Sequence, residues 1–124
     1  MLGSATVTAL VGTVKPDISK AFYADTLGLK FISDDTFAMV FEGKNARIRV
    51  SRVPGVTPAA YAVLAFSVDD IDKAVDGLTA KGVVFARFGF FVQDPRGVWT
   101  APDGTKVAWF HDPDLNLLSV VQNV

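Results

Sequence analysis

The chain has 124 residues, half of them hydrophobic, so a single domain can bury a core without disulfide or metal staples. There is no cysteine and only one histidine, which excludes disulfides, thiolate metal sites and any all-imidazole site within one chain. Twelve basic and thirteen acidic residues are scattered to a net charge of −1, leaving no basic stripe to neutralise phosphates and therefore no expectation of a nucleic-acid partner.

Residues 1–8 carry no basic region followed by an apolar run, so no export signal is read and a soluble, cytoplasmic protein is expected. Residues 5–13 have the composition of a strand. A helix follows, with Pro16 at N1, Asp17 at the positive end of the dipole, Ile18, Ala21, Phe22 and Asp25 at helical spacing, and Gly28 as the stop. Strands are expected over residues 30–33, 36–42 and 46–52, broken by the turn formers Asp34-Asp35 and Gly43-Lys44-Asn45. Residues 52–60, with Pro54, Gly55 and Pro58, read as a linker. Residues 61–68 form the next strand; their apolar run is far shorter than the roughly 20 residues that span a bilayer, and no membrane partner is expected. A second helix has Asp69 as its N-cap, Ile71, Ala74, Val75 and Leu78 on one face, and Gly82 as its stop. Four further strands are read over residues 83–87, near 97–100, over 107–111 and over 117–122, with turns at 102–105 and 112–116.

The two halves repeat. Asp17-Ile18-Ser19-Lys20-Ala21 recurs as Asp70-Ile71-Asp72-Lys73-Ala74, and Gly28 and Phe31 align with Gly82 and Phe85. The predicted fold class is α+β: two tandem βαβββ modules, about 5–51 and 61–122, within one domain. A sheet face of each is buried under a helix, and the opposite faces form a curved, cup-like mixed sheet.

Three segments carry a family resemblance. Residues 21–29, Ala-Phe-Tyr-Ala-Asp-Thr-Leu-Gly-Leu, resemble the end of the first helix of vicinal oxygen chelate proteins, the glyoxalase, bleomycin-resistance and dioxygenase superfamily. Phe66-Ser67-Val68-Asp69-Asp70-Ile71 resembles the start of that family's second helix, and residues 109–118 resemble its last hairpin. In that hairpin Leu115 stands where the family has glycine, so a locally altered turn is expected. By motif register, the positions that supply His, His or Gln, and Glu in metal-using members fall at Thr8, Val63 and Ser119. These side chains cannot replace imidazoles and carboxylates around a divalent cation, so the resemblance implies the fold and neither a metal nor another cofactor.

Several residues are candidates for binding. Alternation sets Arg47, Arg49 and Ser51 opposite Ala46, Ile48 and Val50; the guanidiniums either look into the cup, where they suit a carboxylate or phosphate, or pair with acids at a solvated edge. Trp99 and Trp109 form either an aromatic wall or part of the core, as do Phe37, Met39 and Phe41. The apolar run 87–92 needs cover, whether from a homodimer partner, a ligand or the chain's own core. His111 is a solvated strand-end residue or a base. The leading expectation is a metal-free protein that binds a small organic ligand, apolar or anionic, through Thr8, Arg47, Arg49, Val63, Trp99, Trp109 and Ser119. The alternatives are a metal-dependent lyase or dioxygenase-type enzyme with ligands completed across a dimer, and a regulatory or structural protein with a filled cup.

Overall fold

A computed structural model describes all 124 residues. The chain divides into two compact units, Met1–Thr57 and Pro58–Val124, and each is a βαβββ-like module.

In the first unit, Pro16 at N1 starts a helix directly after strand β1 (Thr8–Thr13), because its fixed φ suits the first helical turn and no donor is lost there. This helix, α1 (Pro16–Ala21), runs on into a π-helical turn, Phe22–Thr26, and the chain leaves it through Gly28 at φ 74°. Strands β2 (Lys30–Asp34), β3 (Ala38–Glu42) and β4 (Arg47–Arg52) complete a sheet of order β1-β4-β3-β2, with β1 and β4 parallel and the other pairs antiparallel. The register, with Val11 opposite Val50 and Ile48 opposite Phe41, gathers the buried side chains of Val11, Met39, Phe41, Ile48 and Val50 on the face covered by α1.

The buried face of α1 differs from the one expected. Ile18 is 60% exposed and Ala21 is also exposed, whereas Ser19 and Tyr23 are fully buried. Tyr23 packs on Phe41 with ring centroids 5.6 Å apart, and the Ser19 hydroxyl lies 2.7 Å from Thr13 Oγ1. The i, i+4 pair thus consists of a large aromatic and a hydroxyl that satisfies a buried hydroxyl. In the same way Met39 and Phe41 join the core while Phe37, just outside β3, is exposed.

The second unit repeats the arrangement with β5 (Leu64–Ser67), α2 (Ile71–Ala80), β6 (Trp99–Thr100), β7 (Lys106–His111) and β8 (Leu117–Gln122), in the order β5-β8-β7-β6. Again the outer pair β5–β8 is parallel and the rest antiparallel. Ile71 and Val75 of α2, together with Ala108, Phe110, Leu118 and Val120, make the core. The N-cap of α2 is Asp70 rather than Asp69: its carboxylate accepts from Lys73 N–H at 3.2 Å, while Ile71 N–H donates to Gln122 Oε1 at 2.8 Å. Gly82, at φ 94°, ends the helix.

Residues 83–87 do not form the expected strand. Ala86 N–H donates to Trp109 O at 2.8 Å, and the rest of the local bonding goes to one side chain. The Gln93 amide accepts from Phe88 N–H at 2.8 Å and donates to Ala86 O at 2.9 Å and Gly97 O at 2.8 Å. With its backbone groups satisfied in this way, the segment has no need of a ladder. The hairpin from β7 to β8 keeps the backbone of a glycine turn: Leu115 sits at φ 67°, exposed, while Asp112 Oδ1 accepts the N–H groups of Asp114 and Asn116, each at 2.9 Å. The expected alteration of the turn is therefore absent, and Leu115 carries the strain instead. No helix is long and apolar enough to cross a membrane.

Candidate ligand-binding face

Alternation fixes what the second sheet presents on the side away from α2. Ala108 and Phe110 point into the core, so Val107, Trp109 and His111 take the other face. Trp99 lies opposite Val107 and Ser119 opposite Trp109, which brings all three predicted residues of β6, β7 and β8 onto one surface. The segment 88–91 folds back over it. Phe91 is nearly parallel to Trp109, at an interplanar angle of 4° with centroids 5.1 Å apart, and lies 4.5 Å from Trp99. Phe88 meets Trp109 edge-on at 5.4 Å, and Phe90 packs on Phe88 and Phe91.

Five aromatic rings thus share one sheet face. Trp99, Trp109, Phe88 and Phe91 are only half-buried, and Phe90 is 79% exposed. This is neither a closed core nor a dispersed surface, but a polarisable wall with open ring faces and edges. Its loop is anchored by the Gln93 bonds and by Arg87, whose guanidinium donates to Asp94 O at 2.7 Å and Pro95 O at 2.8 Å. Gly97 is required beside it: φ is 94°, and a Cβ there would stand 3.1 Å from that of Phe85.

The remaining predicted residues lie elsewhere. Val63 precedes β5 and is partly exposed, with its N–H bonded to Leu117 O at 2.9 Å. On the first sheet, Thr8 and Arg47 are register partners on the face away from α1, and Arg49 is two residues along on that same face. Both arginines have acidic neighbours: Arg47 lies 3.5 Å from Glu42, and Arg49 lies 3.6 Å from Asp35. The Asp35 carboxyl is held below its usual range, first by Ala38 N–H and also by Arg49. His111 stands exposed at the end of β7.

Residues 7–120 match the Glyoxalase/Bleomycin resistance protein/Dioxygenase superfamily. The chain belongs to this superfamily. Its fold is that of TnmS3, an antibiotic binding protein from Streptomyces sp. CB03234, with a TM-score of 0.77, 21% identity and coverage of 100% of this chain and 99% of that one. A superfamily member from Sphaerobacter thermophilus DSM 20745 gives 0.76 at 19% identity, covering 99% and 100%. Lactoylglutathione lyase from Agrobacterium tumefaciens gives 0.74 at 16% identity, covering 97% and 94%. No curated protein sequence matches the chain.

The superfamily includes metal-using members, and the donor set here does not fit such a metal. Thr8 is an exposed hydroxyl, Val63 has no donor atom, and Ser119 is buried with its Oγ 3.5 Å from Leu64 O. Nowhere do three or more His, Cys, Asp or Glu side chains gather as a metal site would need. Sequence reading marked both tryptophans and the phenylalanine run separately; that one wall joins them follows from the Gln93 clamp, which had no signal in local composition.

Proposed function

We propose that this superfamily member binds a small, flat organic molecule, without a metal, on the aromatic face of its second module. The observation that carries this reading is the half-exposed group of Phe88, Phe90, Phe91, Trp99 and Trp109 on a sheet face whose other side is the core. Aromatic pairs gain about 0.5–1.5 kcal/mol beyond area burial, so a conjugated ligand that stacks on several rings gains both from burial and from ring geometry. Ser119 and Val63 flank the wall in this reading and set its floor. The description of TnmS3 as an antibiotic binding protein supports a binding role for this scaffold. The exposed Phe90 and Val92 also favour a homodimer, which sedimentation equilibrium would detect.

A thermal-shift screen of planar aromatic compounds against metal-stripped protein tests the reading. A compound present at about 100 times its Kd raises stability by about 2.7 kcal/mol, a readily measured shift. Trp109→Ala should abolish that shift while the protein stays folded. A shift that survives the substitution, or one that appears only with added divalent metal, would contradict it.

A further inference from the structure

The face of the first sheet away from α1 carries a polar depression of about 570 Å³, distinct in every residue from the aromatic wall. Its sides are Thr6, Thr8, Glu42, Lys44, Asn45 and Arg47. The fold brings them together for a simple reason. Thr8 is opposite Arg47 in the parallel pair, Arg47 is opposite Glu42 in the antiparallel pair, and Gly43 N–H to Ala46 O at 3.0 Å closes the turn that presents Lys44 and Asn45.

We propose that this depression binds the oxyanion group of a small molecule, a carboxylate or a phosphate. Two cations face one carboxylate, so the lining has a net positive charge, and two threonine hydroxyls and an amide add donors without charge. The Arg47–Glu42 pair does not fill the site. Its closest approach is 3.5 Å, with the two side chains 50% and 40% exposed, and such an exposed pair is worth little. An incoming oxyanion can therefore take a guanidinium edge with shorter, charge-assisted bonds, and Glu42 acts as a weak internal competitor for it.

Chemical-shift titration of the ¹⁵N-labelled protein at pH 7 tests this, with sodium phosphate in one arm, sodium acetate in the other, and ionic strength held constant with sodium chloride. Saturable shifts confined to residues 6–8 and 42–47 are expected, and the arm with the lower Kd identifies the preferred group. Glu42→Gln should tighten binding about threefold by removing the competitor, and Lys44→Gln and Arg47→Gln should each weaken it by at least that factor. Lys44 lies in an exposed turn, so its variant keeps the test valid should Arg47→Gln disturb the sheet. Linear shifts in both arms, or curves unchanged by Lys44→Gln, would overturn the proposal without touching the aromatic-face reading.

Discussion

Leu115 shows how one side chain can be out of step with its backbone. At φ 67° it occupies a conformation that costs most L-residues about 1–2 kcal/mol, and its exposed side chain recovers little by burial. The turn persists because Asp112 binds it from within, through two backbone N–H groups and through Asn116 Nδ2 at 2.8 Å. Leu115→Gly should therefore raise unfolding stability by about 1 kcal/mol in urea melts, with ligand binding unchanged. Asp34 is the second informative residue. Its two oxygens take both terminal nitrogens of Arg52, at 2.7 and 2.8 Å, and Oδ1 also accepts from Thr36 N–H at 3.0 Å. Chiefly through the Arg52 bond, its carboxyl is lowered from 3.8 to about 2. A depressed folded-state value means that the stabilisation is fully present above the unfolded value and is lost as pH falls through the folded one. Thermal melts from pH 6 to pH 2 should thus show wild type above Asp34→Asn at pH 6 and the two converging at the acid end.

At the scale of elements, α2 carries a correctable weakness. Gly77 lies in its exposed middle with nothing within 4 Å of where a Cβ would be, so Gly77→Ala should stabilise by about 1 kcal/mol through helix propensity alone. Calorimetry would register it as a higher Tm with unchanged binding. Elements of this kind were legible in sequence wherever periodicity and termini agreed: α2 buries Ile71 and Val75, and Gly82 ends it. Both modules share one strand order, as the repeated Asp-Ile-x-Lys-Ala motif implied. Helix α1 was harder to read, because its buried face holds a serine whose partner, Thr13, is six residues away and whose burial depends on that tertiary hydroxyl contact. The strand expected over 83–87 was lost for a comparable reason. Local composition favoured extended pairing, but Gln93 supplies bonds that a sequence window cannot foresee.

Across the whole molecule, the division of labour is between faces. In each module the helix-covered face is an apolar core, and alternation leaves the other face free to differ. The first module uses it for arginines, threonines and acids; the second uses it for aromatic rings. The candidate residues were legible individually, since strand alternation alone assigns Arg47, Trp109 and Ser119 to their faces. Their grouping depended on register, which only the paired strands fix. The scaffold supports several chemistries in its superfamily, so the side chains on these open faces must carry the function. The most direct test follows the two indole N–H resonances of Trp99 and Trp109 while a flat aromatic compound is added to chelator-treated protein. Saturable shifts of both indoles with no divalent ion present are the predicted result; indoles that stay unmoved until a metal is restored would contradict it.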